Sequence, residues 1–396
     1  MSEQDDNLAA KAKELTAADK KVQLIYAFNG IGKTRLSRAL KNEIAPKPED
    51  HAAAEPSRNK ILYYNAFTED LFSWDNDLEN DEEYRLEIKA NSFTDWILGV
   101  RGQDQNIIAN FQRYTDDKLT PAFVPEVEQV TNRDGKRENK TKYPAITFSH
   151  DRGTESSQGI KISKGEESNL IWSIFFTLLQ EVVDLLSEAD PTKRDDNEYD
   201  NLTYVFIDDP VSSLDENHLI ELAVDLAGLI ARSRFQNGQG VKFVITTHNP
   251  LFYNVLCKEL SGAACYLLKR NQDGLLDLVP KDGAANKSFS YHHHLKGILE
   301  NAIAEGSVEK FHFSLLRNLY EKTANFLGYK HWTDLLKTAP DERTDYLKKV
   351  INHYSHRELS AEEIAEPTEQ QKEDVAILLQ NLINNYGYWQ QEAQDG

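Results

Sequence analysis

The sequence predicts an α/β protein, a mostly parallel sheet with flanking helices, followed by a mainly α-helical C-terminal part. Three observations carry this. Residues 22–27, 203–207 and 241–246 are apolar almost throughout, and strands without alternation are those buried on both faces of a parallel sheet. Helical segments stand between them, as the crossovers of parallel pairing require. After about residue 280 the pattern turns helical, with no heptad array and no internal repeat.

Taken in order, residues 8–20 read as a short helix, 22–27 as a strand and 33–42 as a helix. A loop rich in Pro, Ala and charge (46–58) leads to a strand at 61–65. Region 85–165 mixes short strands with a charged loop at 132–142. Residues 168–187 form a long apolar helix, whose Gln180, Glu181 and Asp184 mark it as buried within a protein and not spanning a membrane. An acidic loop (188–201), a strand (203–207), an amphipathic helix (217–233) and a strand (241–246) follow. In 309–326 apolar residues fall at 311, 313, 315, 316, 319, 320 and 326, consistent with a helix. The expected domains are 1–280 and 281–396.

The chain has 396 residues, 40% of them hydrophobic and 28% charged, enough apolar material for two or three domains with real cores. Two cysteines, Cys257 and Cys265, exclude a disulfide scaffold. The acidic N-terminus has no apolar h-region, so no signal peptide is expected and the cytoplasm is the default location. A net charge of −20 argues against a general DNA-binding protein. The charge is uneven, however. Residues 1–280 carry −15 and 356–396 carry −7, whereas 281–355 carry +2 and six of the eleven histidines. Only that middle segment can receive a polyanion without strong repulsion, although on charge alone a neutral helical lobe with solvated charges is the simpler account.

Ala27-Phe-Asn-Gly-Ile-Gly-Lys-Thr34 follows a strand and opens a helix, the context of a phosphate-binding P-loop. Gly30 and Gly32 permit a turn tight enough for consecutive N–H groups to face phosphate. Lys33 is placed for the β- and γ-phosphates and the Thr34 hydroxyl for Mg²⁺. Ala27 stands where the general pattern has its first glycine. Val205-Phe-Ile-Asp-Asp-Pro210 ends an apolar strand in two carboxylates, as a Walker B element does. Asp208 would hold Mg²⁺ through water and Asp209 would polarise the attacking water.

Phe28-Asn-Gly-Ile-Gly-Lys-Thr34 resembles the P-loop of ABC-type ATPases. Ser163-Lys-Gly-Glu166 resembles their signature, Ser212-Ser-Leu-Asp215 their D-loop and Thr247-His248 their H-loop, in the superfamily's order across 22–250. The resemblance implies an ABC-type P-loop NTPase that binds ATP or GTP with Mg²⁺ through Phe28, Asn29, Gly30, Ile31, Gly32, Lys33, Thr34 and Arg35. His248 and Asp209 would serve hydrolysis. It also implies a head-to-tail homodimer or higher homo-oligomer in which Ser163, Gly165 and Glu166 complete the partner's site. Asp209 replaces the family's usual Glu, one methylene longer, which implies slow hydrolysis. The Q-loop is not placed by sequence; residues 65–67 are the candidate. About 130 residues separate P-loop and signature, too few for the long coiled coil of SMC-like ATPases, and no transmembrane domain is attached to suggest transport.

In the C-terminal part, Arg317 and Glu321 are i,i+4 neighbours, with Ile351-Asn-His-Tyr-Ser-His356 downstream. Arg, Glu and His suffice for metal-free RNA cleavage. A general base takes the ribose 2′-OH proton, a general acid protonates the leaving 5′-oxygen, and a guanidinium stabilises the phosphorane. From spacing alone, a surface salt bridge plus a structural histidine is the simpler account.

The whole chain is similar to the PrrC family of bacterial anticodon nucleases, and more distantly to its RloC relatives. The resemblance lies in residues 26–37, 206–215 and 286–295, the last reading Asn-Lys-Ser-Phe-Ser-Tyr-His-His-His-Leu. It implies a nuclease triad of Arg317, Glu321 and His356, with His353 the alternative. It also implies contact with the tRNA-Lys anticodon loop through Lys287, Ser288, Phe289 and Tyr291, near a wobble-position cut. Phe289 and Tyr291 are suited to stacking on unpaired bases. Ala284 stands where the family has an acidic residue, which bears on wobble-base preference. Three adjacent histidines, His292–His294, cannot converge on one metal ion in regular structure. The resemblance further implies antiphage defence, with the nuclease silenced by a type I restriction–modification enzyme. Two rival readings are a DNA-associated ABC-type ATPase without nuclease activity, and an interaction module with a non-hydrolysing site.

Overall fold

Every position of β1 (Val22–Tyr26) is buried, as the expected inner strand of a parallel sheet must be. The computed structural model describes residues 3–46, 60–65, 68, 70–76, 84–131, 137–151, 156–210, 216–236, 238–271, 273–281, 291–339, 348–352 and 366–388. The chain divides into two compact units, Met1–Ser288 and Phe289–Gly396.

The first unit opens with α1 (Glu3–Ala17), whose first turn carries Glu3, Asp5 and Asp6. Those carboxylates favour a helix N-terminus, which accounts for a start five residues earlier than expected. After β1 come α2 (Lys33–Ile44), β2 (Ile61–Tyr64), β3 (Phe72–Asp75), β4 (Arg85–Ile88) and α3 (Asp104–Arg113). Next are β5 (Leu119–Thr131), β6 (Arg137–Asp151), β7 (Ser156–Gln158) and α4 (Lys164–Ser187). The unit closes with β8 (Tyr204–Asp208), α5 (Glu216–Arg232), the short pair β9 (Phe235–Gln236) and β10 (Gln239–Gly240), β11 (Lys242–Thr247), α6 (Pro250–Glu259), β12 (Ala264–Arg270) and β13 (Leu276–Pro280).

The main sheet runs β13-β12-β1-β11-β8-β2. All neighbours are parallel except β12–β13, an antiparallel edge. The expected α/β class is therefore the one observed. Because β1, β8 and β11 are adjacent, the loops that follow them leave the sheet at one edge, the carboxyl ends of the strands, where open α/β sheets place ligands. A second sheet, β3-β4-β6-β5 with β7 on β6, is antiparallel. There the expected charged loop at 132–142 is corrected, since residues 137–142 belong to β6. Their pairing sets Lys142 opposite Glu126 and Lys140 opposite Glu128, so a charged ladder replaces the apolar alternation that announces a strand.

Helix α4 is long and apolar enough to cross a membrane, yet 78% of its apolar window is buried inside the fold. Trp172, Leu178 and Leu179 are among its inaccessible side chains. It is a core helix, as its interrupting polar residues predicted.

The second unit is helical: α7 (Tyr291–Ala304), α8 (Lys310–Leu327), a 3₁₀ segment (Trp332–Thr338) and α9 (Glu369–Asn385). Its core gathers Leu299, Phe313, Leu316, Tyr320, Leu335 and Leu378. Asn381, buried on α9, donates from Nδ2 to the Tyr320 hydroxyl (3.0 Å) and the Leu335 carbonyl (3.1 Å), while Tyr320 donates to Leu378 O (2.9 Å). These bonds tie α9 to α8 and to the 3₁₀ segment.

Candidate functional site

The turn between β1 and α2 is shaped by glycine. Gly30 (φ 80°) and Gly32 (φ 126°) occupy the left-handed region that L side chains disfavour. A Cβ on Gly32 would also lie 3.5 Å from Leu276 Cδ1. The freed N-terminus of α2 has no side-chain cap, so its N–H groups are open to an anion.

Lys33 lies over this turn and is 8% exposed. Its ammonium reaches Ala27 O (3.3 Å), Asn29 Oδ1 (3.1 Å) and Asp209 Oδ2 (3.1 Å). Those three contacts match the three donors of an ammonium. An incoming phosphate must therefore displace at least one of them.

The two carboxylates after β8 differ in environment. Asp208 accepts from Thr246 Oγ1, its cross-strand partner on β11. Burial pushes the Asp208 carboxyl above its ordinary value, the Thr246 bond opposes this, and the charge of Asp209 adds to it. The Thr34 hydroxyl lies beside Asp208 and also opposes the rise, so the two expected Mg²⁺ ligands stand together. Asp209 takes φ 51°, the left-handed region that only short polar side chains enter readily. It is held there by its N–H on Thr246 O (2.9 Å), by Thr247 Oγ1 and by the His248 N–H (both 3.0 Å). His248 Nδ1 closes on Oδ2 at 2.5 Å. Burial works against ionisation of Asp209, but His248 and Lys33 outweigh it and hold the carboxyl below its ordinary value. Strain at such a residue, sustained by five contacts from four residues, is what functional sites store.

Ser163 caps α4. Its hydroxyl accepts from Glu166 N (3.3 Å), and Glu166 Oε2 accepts from Ser163 N (2.7 Å), a complete capping box. Gly165 lies in the same turn. Arg35 points away from the P-loop, to Gln4 (3.2 Å) and Asp5 (3.7 Å) on α1.

On α8, Arg317 Nε donates to Glu321 Oε1 at 2.8 Å. Its Nη1 reaches Asn352 Oδ1 at 3.4 Å and its guanidinium lies 5.7 Å from the Trp332 ring centre. The Arg317 and Glu321 side chains are 21% and 42% exposed, so the pair is open to a substrate.

The chain is 54% identical over 98% of its length, and 94% of the relative's, to the anticodon nuclease of Escherichia coli. The chain belongs to the anticodon nuclease family. No family model matches it. Among solved structures it is similar to the Smc head domain with a coiled coil from Pyrococcus yayanosii (10% identity, 48% of this chain and 28% of that one, TM-score 0.29). It is also similar to the SMC head domain from Thermotoga maritima (13% identity, 67% and 92% covered, TM-score 0.27). The fold assignment rests on the strand order instead.

In this anticodon nuclease family member, Asn29, Lys33, Thr34, Asp208, Asp209 and His248 are linked by the contacts above. Phe28 and Ile31 complete the turn, and Ile31 O accepts from Arg270 Nη2 at 3.0 Å. Asn65 is buried beside Tyr63, donating to its hydroxyl at 3.0 Å, and Ala66 and Phe67 lie outside the described residues. So do the D-loop residues 212–215, Lys287, Ser288, Phe289, His353 and His356; Tyr291 begins α7. Sequence reasoning missed two neighbours of Arg317. Asn352 opens the Asn-x-x-Ser-His stretch and is the first sign that this stretch begins at Arg317. Trp332 lies fifteen residues downstream with no periodic signal to Arg317, and only the fold reveals it.

Proposed function

We propose that this chain is a nucleotide-regulated tRNA anticodon endoribonuclease, with residues 1–280 the ABC-type NTPase domain and 281–396 the nuclease domain. The observation that carries it is the near full-length identity to the Escherichia coli anticodon nuclease. The P-loop turn and the paired Arg317 and Glu321 support it independently.

ATP or GTP would seat its phosphates on the N–H groups of residues 30–35, with Mg²⁺ on Thr34 and Asp208. The donor set fits: a buried carboxylate beside a hydroxyl, next to a second carboxylate, is a place a divalent cation relieves. The bound cation would neutralise phosphate charge. Lys33, turning to phosphate, releases Asp209, and the freed carboxylate, oriented by His248, is placed to polarise water. Ser163 and Gly165 at the open start of α4 would meet the nucleotide of a partner copy, giving a homodimer or higher homo-oligomer.

In the nuclease domain, Glu321 and His356 share the general base and acid roles. The base removes the 2′-OH proton, that oxygen attacks phosphorus, the P–O5′ bond breaks, and the acid protonates the departing oxygen. Arg317 stabilises the phosphorane. The products are a 2′,3′-cyclic phosphate and a 5′-OH, with no metal required. The substrate is tRNA-Lys, cut near the wobble position, with Lys287, Ser288, Phe289 and Tyr291 reading the loop. The family resemblance supports a cytoplasmic role in antiphage defence under silencing by a type I restriction–modification enzyme.

The test is expression of the chain in a bacterial host, followed by sequencing of RNA fragments bearing cyclic-phosphate ends. A single class of anticodon-loop cut is expected; intact tRNA overturns the reading.

A further inference from the structure

A cavity of about 400 Å³ opens in the helical unit, on a different face of α8 from Arg317. Its walls include His292 and His293 of α7, Thr323 and Phe326 of α8, and Tyr386 and Tyr388 beyond α9. Nine residues separate Arg317 from Phe326, so an α-helix sets them about 180° apart around its axis and roughly 13 Å along it.

The cavity's chemistry is that of a flat, amphipathic guest. Phe326 is 85% exposed, an aromatic face turned to water at the lip. His293 stands edge-on to Tyr388, with ring centres 6.5 Å apart. The polar edge is the Tyr388 hydroxyl, 2.6 Å from Thr323 Oγ1; since Thr323 donates to Leu319 O (2.7 Å), Tyr388 donates to Thr323 and keeps a lone pair free to accept, while His292 Nε2 is buried out of reach of the cavity without a hydrogen-bond partner among the described residues. Stacking surface plus a few edge donors and acceptors is how single-stranded bases are held. Four of the six named wall residues come from 281–355, which carries +2, and two from 356–396, which carries −7; the cation at hand is Lys322, beside Thr323 in the chain.

We infer that this cavity is a base-binding subsite, taking one unpaired nucleobase of the RNA against Phe326, with the Tyr388 hydroxyl accepting at its edge. This rests on the proposed ribonuclease reading and deepens it. Since Phe326 and Arg317 lie on opposite sides of α8, the captured base is not the one whose ribose is cut. It is a neighbour further along the strand, whose capture fixes the register of cleavage.

The test uses the full chain carrying Arg317→Ala, so that RNA stays whole, and an anticodon stem-loop RNA as probe. Adding Phe326→Ala should weaken binding roughly 5- to 150-fold, the worth of one base stacked on an aromatic ring, while Phe326→Trp should retain it. An abasic nucleotide at one loop position should cost the parent the same factor and the Phe326→Ala protein nothing more. Phe326 is so exposed that the thermal midpoint should not move. Equal affinity for the Phe326→Ala and parent chains overturns the subsite, as does a loss that every abasic position leaves unaltered. If the chain with Arg317 intact cuts tRNA yet Phe326→Ala changes neither affinity nor cut position, the subsite alone fails. If the intact chain cuts no tRNA, the ribonuclease reading fails.

Discussion

Replacing Lys33 with Met tests whether the Lys33–Asp209 pair is a fixed feature of the nucleotide-free site. The partners are 3.1 Å apart with side chains 9% and 18% exposed. At an effective dielectric near 20, a unit pair at that separation is worth about 5 kcal/mol before desolvation. Breaking a buried pair by removing one partner costs about 3–5 kcal/mol, because the other charge stays behind. Here it would stay beside Asp208, a second buried carboxylate. For a unit of this size that corresponds to a drop of roughly 6–10 °C in thermal midpoint. The double variant Lys33→Met/Asp209→Asn removes the stranded charge, while the amide oxygen still accepts from Thr247 and the His248 N–H. It should return to within about 1.5 kcal/mol of the parent. Calorimetry and urea unfolding of the four nucleotide-free proteins complete the cycle. A double variant as unstable as Lys33→Met, or a coupling below about 1 kcal/mol, would refute the reasoning.

Other outcomes follow from the same geometry. Ser163→Ala removes a complete capping box and should cost about 1 kcal/mol by urea unfolding; a cost below a few tenths contradicts that role. Asn381→Ala removes the two bonds its amide donates, while Tyr320 keeps Leu378 O and Leu335 O keeps Thr338 and Tyr386, so the helical unit should lose about 1–2 kcal/mol and at least roughly 4 °C of thermal midpoint. Arg317→Lys keeps the charge but not the planar fork over Trp332; RNA cleavage should fall about 10²-fold or more while stability changes by under about 0.5 kcal/mol. Burial lowers the His312 pKa from 6.5, against the opposing effect of the Glu309 backbone and the Glu309 carboxylate. The unfolded chain therefore binds more protons, and stability is full above about 6.5 and declines as pH falls below it. Thermal midpoints of the helical unit should fall from pH 7.5 to 5.5, less steeply in His312→Gln; parallel slopes would count against the argument.

Local chemistry decided what the sequence could disclose. The P-loop and the carboxylate pair were legible because phosphate binding needs glycine at positive φ, a lysine and a strand-end acid at fixed spacing. Gly30, Gly32, Lys33 and Asp208 bear those demands in contiguous letters. Arg317 and Glu321 were legible because helical spacing alone makes them neighbours. The β5–β6 hairpin was not, since its outer half alternates in charge and not in apolarity, as Glu128 opposite Lys140 shows. The left-handed Asp209 had no sequence signal either: its conformation is imposed by Thr246 and Thr247 of β11 and by His248 just after it. Asn352 and Trp332 meet Arg317 only through tertiary packing.

The most direct measurement is cleavage of bulk tRNA by the purified chain with ATP, GTP or neither, with fragment ends mapped at nucleotide resolution, beside Arg317→Ala and Lys33→Met proteins. One anticodon-loop cut that requires Arg317, and whose yield responds to nucleotide only when Lys33 is present, is the expected result. Whole tRNA under every nucleotide, or the same cut from Arg317→Ala, would contradict the account.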